Sequence, residues 1–238
     1  MSAGFKPFIP LSDLKLIGPI ERSQGRPVRL AETRTAFPIY RRVFKRLLDI
    51  AVVLLAAPFV VPIIALMGLL ITRDGGSVFY TQFRVGRNGR IFRMWKLRTM
   101  VDNADARLET YLVANPDKRR EWDETQKLAN DPRITAFGKF LRSSSIDELP
   151  QLWNVLIGDM SLVGPRPMMV NQQSLYPSQG YYALRPGVTG YWQTAGRNKT
   201  TFAARAVFDD AYLAELSLRT DLTILVRTVG VVLKGTGS

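Results

Sequence analysis

Leu47 to Thr72 is a run of 26 residues that carries a single charge, Asp49. No other stretch limits so strongly what this chain can fold into. About 20 apolar residues of helix cross a bilayer core, so the run is long enough to span one. Pro58 and Pro62 interrupt it, and Gly68 follows. An interior proline removes an i→i−4 hydrogen bond and clashes with the preceding turn, which predicts a broken rather than a straight helix. At ~1.5 Å per residue each arm reaches on the order of 15–25 Å, roughly mid-membrane. Two topologies satisfy this: a kinked span, or a re-entrant hairpin that enters and leaves on one face. Flanking charge does not choose between them, because Arg41, Arg42, Lys45 and Arg46 precede the run and Arg73, Arg84, Arg87 and Arg90 follow it. Asp49, near the start, is expected at headgroup level. The competing reading is a buried core helix, but cores seldom supply so long an uncharged run with basic flanks.

Two absences narrow the chemistry. The 238 residues include no His and no Cys. A His base, a Cys nucleophile, disulfides and His/Cys zinc sites are thereby excluded. The formal net charge of +13 points to anionic partners: phosphates, acidic headgroups or nucleic acid.

Residues 1–40 are rich in Pro and Gly, lack an apolar signal-peptide core, and read as an irregular, mobile lead-in. After a turn at Asp74-Gly75-Gly76-Ser77, Val78 to Phe83 is β-prone, and Asn88-Gly89 signals a hairpin into a second strand, Arg90 to Met100. Alternation puts Lys96 and Arg98 on one face, either as a solvated edge or as cations over a phosphate. Asp102 to Lys127 reads as exposed helices. Asp147 and Glu148 then stand directly before Leu149-Pro150. Proline suits the first helical position and glycine the position past the end, which predicts a helix through Gln151–Ile157 stopped by Gly158. A capping box from Ser145 to Glu148 is the rival, but it would put Pro150 inside the helix. The helix dipole favours ionised carboxylates here, as nucleophile or as metal ligand.

Downstream, Gly164-Pro165-Arg166-Pro167 is a stiff, extended segment that holds one guanidinium in place, for a phosphate or simply for solvent. Arg185-Pro186-Gly187 is a second constrained turn with a cation. Thr200 to Leu218 reads as helical and contains Asp209 and Asp210. Asp221 opens a last helix, either core or interfacial. No Walker A or dinucleotide fingerprint occurs. An acid pair amid fixed arginines suits a phosphoanhydride: arginines stabilise phosphoryl charge, one carboxylate can hold Mg²⁺ and another can attack phosphorus. Adjacent carboxylates are poorly placed to flank a sugar ring as a glycosidase pair.

These pieces together resemble the bacterial sugar transferase family, the monotopic phosphoglycosyl transferases of exopolysaccharide and glycoconjugate assembly. The resemblance rests on Lys96-Leu97-Arg98-Thr99-Met100, Asp131-Pro132-Arg133, Leu141-Arg142, Asp147-Glu148-Leu149-Pro150-Gln151, Gly158-Asp159-Met160-Ser161, Val163-Gly164-Pro165-Arg166-Pro167, Arg185-Pro186-Gly187, Gln193 and Gly196-Arg197-Asn198, in order from about Arg41 to Leu233. The chain is most similar to the small catalytic-core type that initiates exopolysaccharides with galactose or glucose phosphate. What the resemblance implies is a reaction. A UDP-sugar binds with Mg²⁺, Asp147 attacks the sugar-proximal phosphate, UMP leaves, and undecaprenyl phosphate takes the sugar phosphate from the enzyme. Glu148 would be the metal-site or acid–base partner, with Asp147 and Glu148 together holding the metal. Lys96, Arg98, Arg142, Arg166, Arg185, Arg197 and Asp209 would be substrate-side residues. The family's membrane helix breaks at a Ser-Pro pair. Pro62 falls at that break, Val61 stands in place of the Ser, and Pro58 is additional.

The expected fold is therefore α+β and membrane-associated, with a Pro-broken re-entrant helix, a small β-hairpin or sheet, and several interfacial and soluble helices. Residues 1–40 form the lead-in, 41–73 the re-entrant membrane helix and 74–238 the catalytic domain. The implied location is the bacterial inner membrane with the catalytic domain on its cytoplasmic face. Partners are a UDP-sugar, undecaprenyl phosphate and membrane lipid, and a homo-oligomer is compatible with this. Nucleic acid is not expected, because the basic residues sit in Pro/Gly loops around the acids rather than in one stripe. A non-catalytic scaffold of the assembly machinery is the alternative, against which the intact acid pair and Arg166 count.

Overall fold

The structure, a computed structural model, describes residues 39–125, 128, 130–178, 180–195, 202 and 204–233. Nearly all of the expected lead-in, residues 1–40, lies outside the described residues, as does Arg197. The described architecture is α+β. A short π-helical turn, Tyr40–Phe44, feeds α1, Lys45–Ile71. A hairpin follows, β1 (Phe79–Val85) and β2 (Ile91–Leu97), then α2 (Ala104–Ala114), α3 (Pro116–Thr125), α4 (Ala136–Ser143) and α5 (Gln151–Ile157). The last part comprises β3 (Ser161–Val163), α6 (Gly180–Ala183), β4 (Gly187–Thr189), α7 (Tyr191–Ala195), α8 (Arg205–Ala214) and α9 (Leu218–Leu233).

Helix α1 differs from the expected pair of arms. It runs unbroken with Pro58 and Pro62 inside it. The prolines are four residues apart, so the N–H missing at Pro62 is the one that would have bonded Pro58's carbonyl. Both lost bonds fall on one side of the helix, and the bonds on the other side carry it through. Leu54, Leu55, Phe59, Val61, Leu66 and Leu69 are all more than half exposed, which rules out the buried core helix. The segment Tyr40–Ile71 is long and apolar enough to cross a membrane.

Both ends of α1 are nevertheless fastened to the same body. At the start, Lys45 Nζ pairs with Asp221 Oδ2 at 2.7 Å, and Asp49 Oδ1 accepts from Leu162 N–H at 3.0 Å. Asp49 is thus buried against β3. At the far end Ile71 packs with Leu97 and Leu141, and its carbonyl accepts from Arg98 at 3.1 Å. Asp221 is the hub of the first anchor, accepting also from Tyr40 at 2.7 Å and Tyr212 at 2.6 Å. A buried carboxylate is stable only when satisfied in this way.

The hairpin forms where Asn88-Gly89 predicts it, with Asn88 at φ 58° and Gly89 at φ 76°. Its register pairs Arg84 with Phe92 and Tyr80 with Lys96, which puts Arg84, Met94 and Lys96 on one face. Phe79 and Trp95 share the other face and meet edge-on at 5.9 Å. Helix α5 starts after Pro150 and stops at Gly158, φ 91°, as the punctuation predicts. Its Asn154, fully buried, closes the free edge of β2: Oδ1 accepts from Trp95 N–H at 3.0 Å and Nδ2 donates to Arg93 O at 2.8 Å.

The two Pro/Gly loops meet through β3 and β4, which pair in parallel. A Cβ on Gly164 would lie 2.3 Å from Arg185 O, and one on Gly187 would lie 2.1 Å from Gly164 N. Only glycine permits that approach. Helix α9 buries Ile224 against the core and leaves Leu222, Val226 and Val229 exposed, so it is both core and surface.

Candidate active site

Asp147 and Glu148 lie in a 3₁₀ turn, Ile146–Glu148, between α4 and α5. Glu148 N–H donates to Ser145 O at 3.2 Å and Leu149 N–H to Ile146 O at 3.1 Å, so the acids are held by a turn of their own just before α5. Asp147 is 6% exposed and Glu148 is half-buried. The dipole argument for two freely ionised acids meets a stronger opposing effect. Burial pushes the Asp147 carboxyl above the usual carboxylate range; the Lys96 ammonium opposes this, Glu148 adds to it, and Arg142 opposes it.

Lys96 is the counter-ion of the pair. Its Nζ donates to Glu148 Oε1 at 2.7 Å and stands 3.6 Å from Asp147 Oδ2. Arg98 parts from it. The strand ends at Leu97, alternation lapses, and Arg98 reaches Asp102 Oδ1 at 2.9 Å and the carbonyl of Ile71. Arg142, in the last turn of α4, is half-buried and donates from Nε to Thr99 Oγ1 at 2.9 Å. Burial lowers its pKa, and Asp147 is the first charge that counters this.

A polar cleft opens on the Lys96 face of the hairpin, lined by Arg84, Met94, Lys96, Glu148, Gln151, Arg166, Pro167, Gly187, Val188 and Gln193. Arg166 thus shares this cleft with Glu148, on the rigid loop that the sequence predicts. Its guanidinium lies 5.7 Å from the Trp192 ring centre, and among the described residues it has no ion pair. Arg185 does not join. Its Nε donates to Gly158 O at 2.9 Å, where Arg46 also reaches Leu156 O at 2.8 Å; both satisfy carbonyls at the far end of α5. Asp209 lies behind the cleft on α8. It accepts from the Tyr176 hydroxyl, and burial pushes it up to about 7.

Sequence reasoning gave no site role to Arg84, Gln151, Trp192, Gln193 and Arg205, although Gln151 and Gln193 are among the residues that carry the family resemblance. Arg84 directly follows the β-prone residues 78–83 and lies in β1, one strand across from Lys96, and the hairpin register was the available signal. Burial and the neighbouring Arg166 push its guanidinium down to about 10, and among the described residues its Nε has no hydrogen-bond partner. Arg205 stacks on Trp192 at 4.1 Å and is likewise lowered by burial and by Arg166. Guanidiniums held this close repel one another, and a bound anion relieves that repulsion.

Asp147 and Glu148 are the acidic groups available to a metal here; no cluster of three or more His, Cys, Asp or Glu occurs among the described residues. Mg²⁺ takes oxygen ligands and is usually held by one or two carboxylates plus substrate phosphates, so this donor set fits it. On the opposite face of the hairpin lies an apolar groove of about 310 Å³, walled by Val53, Ala57, Val60 and Ile64 of α1, Phe79 and Trp95 of the hairpin, and Leu149, Trp153 and Leu156 beside α5. The hairpin therefore separates a polar, cationic cleft from an apolar groove; Glu148 lines the first and the adjacent Leu149 the second.

A family model described as bacterial sugar transferase matches residues 40–235. The chain is 45% identical over 199 residues to a UDP-galactose-lipid carrier transferase of Erwinia amylovora, covering 83% of this chain and 42% of that protein. It is 44% identical over 197 residues to the exopolysaccharide production protein ExoY of Sinorhizobium fredii, covering 82% and 87%. It is 43% identical over 199 residues to an undecaprenyl-phosphate galactose phosphotransferase of Salmonella typhimurium, covering 83% and 42%. The chain thus spans less than half the length of two of these relatives and most of ExoY.

Proposed function

The chain belongs to the bacterial sugar transferase family, and on that footing we propose that it moves a sugar-1-phosphate from a UDP-sugar to undecaprenyl phosphate and releases UMP. The observation that carries this reading is the buried Asp147, flanked by Lys96 and Arg142, next to Glu148, which lines a cleft with Arg84 and Arg166.

The reaction is two in-line displacements at one phosphorus. An Asp147 carboxylate oxygen attacks the sugar-proximal phosphorus, the bond to the bridging oxygen breaks, and its electron pair leaves with UMP. A phosphate oxygen of the lipid then attacks the same phosphorus and displaces Asp147. Burial makes Asp147 a more basic carboxylate, while Lys96 and Arg142 keep its charged form accessible. Arg84 and Arg166 meet the charge on the transferring phosphoryl oxygens. Mg²⁺ on Glu148 and Asp147 would neutralise charge on the diphosphate.

The fastening of α1 supports a one-sided membrane placement. A helix of 27 residues is about 40 Å long, more than a bilayer core, yet both of its ends pack on one body. In this reading its exposed face lies in lipid, with the catalytic body on the cytoplasmic face of the inner membrane. The apolar groove then brings a lipid phosphate to Asp147 while the polar cleft faces the soluble donor. The test is UMP release across a panel of UDP-sugars with undecaprenyl phosphate added. Wild type turns over at least one donor and Asp147→Asn none; turnover by the variant removes Asp147 as nucleophile.

A further inference from the structure

Gln193, on α7, lines the cleft together with Arg84 and Arg166 and is only 9% exposed. Among the described residues, neither its Nε2 nor its Oε1 has a hydrogen-bond partner. Buried side-chain amides in folded proteins are nearly always paired, and an unmade bond destabilises the fold. The amide is nevertheless held in place. Its neighbour Trp192 carries Arg166 and Arg205 on its ring, and Gly190 leaves room for it, since a Cβ there would come within 3.0 Å of Oε1.

We infer that Gln193 contacts the donor substrate, donating from Nε2 to an oxygen and accepting at Oε1 from a hydroxyl or N–H. The inference rests on the transferase reading above and goes further in naming what the donor must offer. An ionised phosphate has acceptors only. It satisfies the guanidiniums and Nε2 and leaves Oε1 unmade. A group with a donor beside an acceptor satisfies both ends. A nucleotide sugar has three: the hydroxyls of the sugar, those of the ribose and the imide edge of uracil. Gln193 is thus a residue that recognises the neutral part of the donor, next to arginines that take its charge.

The test compares wild-type full-length protein with Gln193→Met in nanodiscs, measuring the Kd of UMP, the Kd of the UDP-sugar and the thermal unfolding temperature. Replacing an unpaired buried amide with an apolar group of similar shape is neutral or stabilising, so Gln193→Met unfolds at the same temperature or higher. Its affinity for the UDP-sugar falls roughly tenfold, the effect of losing a substrate hydrogen bond. A parallel loss for UMP places the contact on the nucleotide; a loss for the UDP-sugar alone places it on the sugar. Binding of both within twofold of wild type overturns the inference. If Gln193→Met unfolds early, Gln193→Glu decides. Its carboxylate pairs with Arg84 and Arg166, holds the fold and excludes phosphate, and unchanged affinity in that variant overturns the inference. Wild-type protein that binds neither UMP nor any UDP-sugar overturns the transferase reading, and this inference with it.

Discussion

Replacing Lys96 with Met separates two roles that one ammonium could have. Met keeps the stem and loses the charge that sits 2.7 Å from Glu148 and 3.6 Å from Asp147. Two unit charges about 4 Å apart interact by roughly 1 kcal/mol in bulk water and about 4 kcal/mol at an effective dielectric of 20. The Lys96 side chain is 23% exposed and that of Asp147 9%, which places the pair between these limits. At 1.36 kcal/mol per tenfold this is on the order of a five- to thousandfold fall in the acidity constant of Asp147. Losing a nearby cation raises a carboxyl pKa, so the deficit is largest at low pH and shrinks as pH rises. The assay is kcat for UMP release against pH at saturating donor. Lys96→Met loses rate at neutral pH, and its acidic limb moves to higher pH. A profile of unchanged shape, with the whole loss in KM, would show that Lys96 binds phosphate and does not set the state of Asp147.

Asn154→Leu leaves Trp95 N–H and Arg93 C=O unmade at a buried edge; at about 1–3 kcal/mol per unmade group it destabilises the fold by roughly 2–6 kcal/mol, read from unfolding in nanodiscs. Asp209, raised from 3.8 to about 7, contributes stability that is fully present below about pH 4 and is lost as pH rises through about 7. Asp209→Asn therefore flattens the fall in unfolding temperature between those values, and an unchanged slope counts against a protonated buried Asp209. Impermeant labels at cysteines introduced at Arg41 and Arg73 report the same side of the membrane; opposite sides would show that α1 spans it.

Legibility followed the range of the interaction. Helix α5 was readable because Pro150 and Gly158 punctuate it locally, and the hairpin because Asn88-Gly89 does. The apolar run announced its content but not its shape. Proline chemistry predicts lost bonds, whereas the spacing of Pro58 and Pro62 lets one helix survive them. Arg166 was placed by its own prolines. Lys96 reaches Glu148 across 52 residues, and Arg185 turns to the carbonyl of Gly158, because tertiary neighbours chose their partners. Arg84 and Arg185 look alike in sequence. Only the register of β1 against β2, and the close approach of Gly164 to Gly187, decide which guanidinium enters the cleft.

The central claim is that Asp147 is the nucleophile. It is tested most directly by intact-protein mass after rapid quenching of wild type and Asp147→Asn with a UDP-sugar and Mg²⁺, without lipid acceptor. The account predicts a sugar-phosphate adduct on wild type that maps to Asp147, disappears when undecaprenyl phosphate is added, and is absent from the variant. An unmodified wild-type mass, with UMP released only when the lipid is present, would contradict it and point to direct transfer between the two substrates.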